Sequence, residues 1–589
     1  MGLMDRKLLW FGLAVFGVVV VAIGYRFYDL QNYPSGLFPD VAANGEDALN
    51  ILNGDYRPFF ERGNGREGLL FYLDALAIKY HGVGVWQMYV PTAVIGVLTV
   101  IAIYFATQSF FGRLAGVLAG LFAATSAWHV TISRTGFRAI LAPLFLAAFT
   151  AFVGYAIASA KDRKVKASYM YAVLAGISFA GGFYSYIAYR AMIGVVLGIV
   201  VLLLLASAHK KVGFPHFRRY GGQMVAGLLS ALVVLAPLAG YFFQHPEAFM
   251  GRAGQVSIFN PDLQRQVGVG SPAEALVYST RESLKGFFVG DGDGNWRHSV
   301  AGYPLLNPLV GLLFLFGFAW TLGGTVGVLW RFSHGEEVHL GMVYPYLLLL
   351  FVGMLLPVVT TAEGIPHGLR SLGMFFPIMV LAGTAGAVVV HWIQRRLTSE
   401  LMRSVGYGLV AGALIIASVY DGALYFFVAR NTAPAHAAYR ADLTEVTKFL
   451  TDWRQQNPGS PRPYLVLDAF SAEVVHFLQH EIHPDGSTAP PPHGPLTPDA
   501  HPDAAQHIYT LLKPEVSHEV ELAAGEVIVF TQSTLSDASR YAATHPGVEV
   551  VESRANRFGQ EIMRVYRAAD AALRPAPSAP AEPAFDLDA

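Results

Sequence analysis

The chain has 589 residues and a formal net charge of −1; 53% of its residues are hydrophobic and only 14% charged. That balance excludes an ordinary soluble globular protein and gives no basis for a nucleic-acid partner. Cysteine is absent, which excludes disulfides, thiolate nucleophiles and thiolate metal ligands.

Apolar stretches of membrane-crossing length begin with Leu8 to Phe27, Trp86 to Thr107, Leu114 to Trp128, Ala139 to Ala160, Tyr169 to Tyr186 and Ala188 to Ala206. They continue with Gly222 to Phe243, Leu305 to Trp330, Val343 to Thr360, Gly368 to Trp392 and Val405 to Val428. At roughly 20 apolar residues per crossing this is a polytopic α-helical membrane protein of about 11 transmembrane helices. The first stretch is too long for a signal-peptide core and lacks a small-x-small cleavage site, so it reads as a retained helix.

A cytoplasmic N-terminus places Arg6 and Lys7, Arg113, Lys161 to Lys166, Lys210 to Arg219, and Arg395, Arg396 and Arg403 in inner loops. This positive-inside pattern predicts a multi-pass protein of the cell inner membrane, with an odd helix count carrying the C-terminal part to the periplasmic or external side. The predicted organisation is a membrane module over 1–430, with a first external loop at 28–85 and a large one at 244–304. A soluble external α/β domain follows at 431–570 and a disordered tail at 571–589.

Within that domain, helical periodicity marks Ala441 to Arg454, Ala472 to His480 and Leu535 to Thr544. Alternation marks strands at Tyr464 to Leu467, Glu526 to Thr531, Val548 to Glu552 and Glu561 to Tyr566, and the proline-rich Pro484 to Pro502 reads as a loop. His476 and His480 have the i, i+4 spacing of a zinc pair, but no third ligand is evident beside them or His483, so they are expected to be exposed.

Ionisable residues gather at the external helix ends, where charge is costly and usually has a purpose. In Pro34 to Asp47 a proline-bounded turn opens a short helix on which Asp40, Asn44 and Asp47 share a face and Glu46 turns away. Asp40 either caps that helix or serves as a catalytic carboxylate. Arg66 and Glu67 follow in a glycine-rich turn; Arg134, Arg138, Arg190 and Arg370 sit at outer boundaries, against the charge bias, where arginine's fork suits phosphate. Tyr184, Tyr186 and Tyr189 either belong to an aromatic belt or line a cleft. Gly290 to His298 is glycine- and aspartate-rich, yet Trp296 and Gly302 occupy the positions where a calcium loop needs glycine and glutamate.

Five segments resemble the GT-C glycosyltransferase superfamily, specifically bacterial members similar to protein O-mannosyltransferases and lipid A aminoarabinose transferases. They run from Gly36 to Gly45, Gly65 to Tyr72, Ser133 to Ala139, Tyr184 to Arg190 and Pro366 to Arg370. The resemblance implies a GT-C fold and transfer of a sugar from a polyprenyl-phosphate-linked donor to a protein, lipid or glycan acceptor at the outer face of the bilayer. It implies Asp40 as general base; a second acid often follows in the family, whereas this chain has Val41, which leaves Glu46, Asp47 and Glu67 as further carboxylates. Arg66, Arg134, Arg138, Arg190 and Arg370 are expected to hold the donor phosphate, and Asn44, Tyr184, Tyr186, Tyr189, His298 and His367 to line the substrate cleft. No cofactor or metal is expected to be required, a divalent ion being only weakly suggested. A transporter of lipid-linked sugars, or a non-catalytic envelope assembly protein, are the alternatives.

Overall fold

The computed structural model describes residues 3–209, 215–249, 257–261, 264–265, 268–334, 336, 339–361, 364–480 and 508–569. Lys210, Lys211, His483, the predicted loop Pro484 to Pro502 and the predicted tail lie outside them.

Each of the eleven apolar stretches falls on a helix: α1 (Leu3–Phe27), α4 (Val90–Phe111), the pair α5 (Arg113–Thr125) and α6 (Ala127–Ser133), α7 (Leu141–Lys161), α8 (Val165–Gly181), α9 (Met192–His209), α10 (Pro215–Gln244), α12 (Pro308–Ser333), α13 (Val343–Val359), α14 (Leu372–Arg396) and α15 (Glu400–Ala423). Eight helices among the described residues are long and apolar enough to cross a membrane, or nine if the pair α5 and α6, bent by 61°, is one crossing. Both α8 and α13 have 17 residues. Small residues let these helices approach closely, as apolar burial alone does not hold them together in lipid. At Gly383 of α14, for example, a Cβ would collide with the backbone of Ala119 on α5.

Two arginines tie the first helices together by capping each other's neighbours. The last carbonyls of a helix have no partner within it. Arg26, fully buried near the end of α1, donates to the last-turn carbonyls of α5 at Ala124 (2.8 Å) and Ala123 (3.1 Å). It also donates to Nδ1 of His129 at 2.8 Å, so that nitrogen must accept. Arg134, directly after α6, in turn donates to the α1 carbonyls of Tyr25 (3.3 Å) and Arg26 (2.9 Å), to the carbonyl of Tyr33 (2.6 Å) and to the Tyr425 hydroxyl (3.0 Å).

Chain contacts divide the protein into two units: 1–34, 54–81 and 86–438 form the membrane unit, and 35–53, 82–85 and 439–589 the other. The boundary differs from the sequence reading, because residues 35–53 of the first external loop pack with the C-terminal domain. That segment carries α2 (Pro39–Leu52), started by proline at its first position and an acid in its first turn.

In the second unit α2 packs on α17 (Ala469–Leu478), which Asp468 caps through the Ser471 N–H. Gly45 permits this approach, since any Cβ there would strike the Phe477 ring. Beside them lie α16 (Ala441–Gln456), α18 (Leu535–Thr544) and a five-stranded sheet. In it β3 (Tyr464–Val466) runs parallel to β4 (Thr510–Leu512) and β5 (Val527–Thr531), whereas β7 (Glu561–Ala568) is antiparallel to both β5 and β6 (Val548–Ala555). Every residue of β5 is buried, as a central strand's apolar run requires. The sheet includes β4, a three-residue strand not predicted from the sequence.

Candidate active site

In the membrane unit, β1 (Phe59–Phe60) pairs with β2 (Arg66–Glu67), with Phe59 opposite Glu67. The turn between them needs glycine: Gly63 and Gly65 have φ of 63° and 90°. The hairpin leads into α3 (Leu69–His81) and fixes Glu67, whose side chain is only 1% exposed.

Two guanidinium groups from separate elements meet that carboxylate. Arg138, opening a short 3-10 turn ahead of α7, places Nε 3.3 Å from Glu67 Oε2; Arg190, in the turn ahead of α9, places Nη2 3.2 Å from Oε1. Their side chains stay 19% and 16% exposed. Aromatic faces complete the setting: Arg138 lies over Tyr186 at 5.5 Å, and Arg190 over Phe242 and Phe249 at 5.1 and 4.6 Å. One carboxylate shared by two arginines leaves a net positive, partly open pair that can accept an anion.

Arg370, 8% exposed, lines a small cavity with Ala139, Ala142, Tyr186, Tyr189 and Leu372. The cavity wall is thus apolar apart from a guanidinium and phenols. Tyr184 is not part of it; its hydroxyl donates to the Val234 carbonyl of α10 at 2.7 Å.

The glycine-rich loop before α12 folds around Asp293 instead of opening as a calcium loop. Asp293 Oδ2 accepts from His298 Nδ1 (2.8 Å) and the Gly368 N–H (2.7 Å), and Oδ1 accepts from the Asn295 N–H (2.9 Å). The rings of His298 and His367 stack 4.5 Å apart, and one atom each of Asp293, His298 and His367 lies within 4.8 Å of the others. Burial opposes ionisation of Asp293, but His298, His367 and the Gly368 amide outweigh it and hold the carboxyl below its ordinary range. Burial, then His298 and Arg370, hold His367 well below the usual imidazole value of 6.5.

The signs give a prediction. A histidine with a depressed folded pKa stays neutral while the unfolded chain takes up a proton, so its contribution declines as pH falls below about 6.5. Asp293 adds a further loss once pH falls below 3.8, its ordinary value, towards its lower folded value. His367→Gln is expected to flatten the fall of Tm between about pH 6.5 and 5 while leaving the steeper acid limb, measured in nanodiscs. A slope equal to that of the wild type in that window contradicts the assignment.

Two of the expected phosphate ligands are corrected. Arg134 is wholly buried and spends its donors on carbonyls and Tyr425, so it is a helix cap and not a phosphate ligand. Arg66 is also buried, donating Nε to the Arg62 carbonyl at 3.1 Å and lying over Phe71, which makes it part of the hairpin's own fold.

In the second unit, Asp40 is exposed in the first turn of α2, whereas Asn44 and Asp47 are buried. The helical spacing of α2 sets Asp40, Asn44 and Asp47 on one face with Glu46 off it, as the sequence predicts, but the surroundings cover Asn44, Asp47 and Glu46 and leave Asp40 open. Glu46 is buried against His476, its Oε1 2.7 Å from Nδ1. The histidines expected to be exposed are also corrected, since the side chains of His476 and His480 are 6% and 5% exposed.

Residues 69–241 match the family model described as dolichyl-phosphate-mannose-protein mannosyltransferase. No curated protein matches the chain. Among solved structures, ArnT from Cupriavidus metallidurans bound to undecaprenyl phosphate is similar at 13% identity and TM-score 0.49, covering 94% of this chain and 98% of its own. The oligosaccharyltransferase AglB from Archaeoglobus fulgidus is similar at 16% and 0.47, covering 80% and 64%; the S. cerevisiae protein O-mannosyltransferase Pmt1-Pmt2 complex at 19% and 0.32, covering 43% and 36%. The arginine and tyrosine motifs between α6 and α9 lie within the matched segment, and this chain is similar there to the dolichyl-phosphate-mannose-protein mannosyltransferases, in keeping with its resemblance to membrane glycosyltransferases of the GT-C superfamily.

Proposed function

We propose that the chain transfers a sugar from a polyprenyl-phosphate carrier to an acceptor at the periplasmic face of the inner membrane. The observation that carries this reading is the pairing of Arg138 and Arg190, both inside the segment matching the mannosyltransferase family, on Glu67 just ahead of that segment. A phosphodiester tied to a lipid must be met at the membrane boundary, and its departure requires fixed cations there. Arg370, at the apolar cavity with Tyr186, is a third cation of suitable type.

The chemistry is direct displacement. The acceptor hydroxyl oxygen bonds to the anomeric carbon as the carbon–oxygen bond to phosphate breaks, and the configuration inverts. The proton passes to Asp40, and polyprenyl phosphate leaves with the electron pair, its charge met by the arginines. Glu67 positions the two guanidinium groups.

The test is transfer from a panel of radiolabelled polyprenyl-phosphate sugars by the reconstituted protein, with membrane extract as acceptor. Wild-type transfer is expected, and Arg138→Gln or Arg190→Gln is expected to raise the donor KM by about 10-fold, the weight of one charge-assisted contact. Donor translocation without transfer, or no interaction with any donor, overturns the proposal.

A further inference from the structure

We propose that Glu46, His476 and His480 form a divalent-metal site, zinc by ligand type, which staples the first-loop helix α2 to α17 of the C-terminal domain. The three residues come from segments 430 positions apart and converge within one unit. One carboxylate oxygen and one nitrogen of each imidazole lie within 4.8 Å of one another. Glu46 Oε1 is 2.7 Å from His476 Nδ1 and 3.7 Å from His480 Nδ1, so the carboxylate faces both imidazoles.

Three further observations favour a metal over a surface ion pair. All three side chains are nearly enclosed, with 2%, 6% and 5% exposure, which is unusual for so many ionisable groups unless they are paired or bound to metal. His480 Nδ1 lies 2.9 Å from the His476 carbonyl, the backbone anchor that orients a ligating imidazole and leaves Nε2 as the lone-pair nitrogen. The two rings meet edge to face, 78° apart with centroids 5.0 Å apart, close enough for one nitrogen of each to share the carboxylate's neighbourhood. A two-imidazole, one-carboxylate set that leaves the fourth position to water is a zinc arrangement, and it needs none of the cysteine this chain lacks.

The site does not depend on the glycosyl-transfer reading, so the two fail separately. The full-length protein in nanodiscs is to be assayed for metal by plasma mass spectrometry as purified, after chelation and after reloading with zinc. About one ion per chain is expected, with Tm falling on chelation and recovering with zinc. His480→Gln and Glu46→Gln should lose both the ion and the zinc-dependent Tm rise, while His298→Gln retains them. Cobalt added to the chelated wild type should give the visible absorption of a tetrahedral nitrogen–oxygen site, a readout that needs no variant to fold. No stoichiometric metal, a Tm indifferent to chelation and zinc, or metal retained by both His480→Gln and Glu46→Gln overturns the proposal.

Discussion

Asp40→Asn is expected to lower the rate of sugar transfer by about 100- to 10,000-fold, the range general-base catalysis supplies, with the donor KM little changed. Its position separates this from a structural effect. Asp40 sits exposed in the first turn of α2, where an acid contributes about 0.3–1 kcal/mol through the helix dipole and asparagine is nearly as favourable near a helix start. The variant should therefore fold and melt like the wild type. Asp40→Glu keeps the carboxylate on a longer arm and is expected to recover part of the rate. The deciding measurement is single-turnover transfer of labelled sugar at saturating donor. A rate for Asp40→Asn within a few-fold of the wild type removes Asp40 from the chemistry and leaves it the helix-starting acid it also resembles.

What was legible in the sequence was what depends on local pattern. Apolar length marked every predicted span, and period marked α16, α17 and α18 of the C-terminal domain to within a few residues. Contrast the two arginines of one motif. Arg134 and Arg138 are four residues apart and equally basic, and nothing local tells them apart. Their difference lies in what surrounds them: Arg134 reaches the end of a helix about a hundred residues earlier, and Arg138 reaches a carboxylate on a hairpin. The burial of Glu46 is not legible in the sequence for the same reason. Helical spacing gives the angle between Asp40 and Glu46, but which face is inside is set by Phe477 and His476, which sequence periodicity does not place. Strand β4 was missed because three residues are too few for alternation to register, and its parallel pairing with β3 is a tertiary fact.

The same contrast yields the second large effect. Arg134→Met is expected to destabilise the protein by about 3 kcal/mol or more, because it strips the donor from the carbonyls of Tyr25, Arg26 and Tyr33 and from the Tyr425 hydroxyl at about 1 kcal/mol or more each. Two of these carbonyls end α1, and with no water to replace the guanidinium in a wholly buried site they remain unsatisfied. Methionine keeps an apolar stem like that of arginine and removes the cost of burying a charge, which offsets part of the loss and sets the estimate at its lower end. Arg138→Met removes one of the two guanidinium partners of the enclosed Glu67 carboxylate, which Arg190 keeps paired, so the loss of stability is expected to be the smaller of the two. The pair of variants should thus diverge in opposite directions: Arg134→Met loses stability and Arg138→Met loses donor affinity. Denaturant unfolding in mixed micelles alongside donor KM measures both. Equal stability of the two variants contradicts the capping role, and an unchanged donor KM in Arg138→Met contradicts the phosphate role.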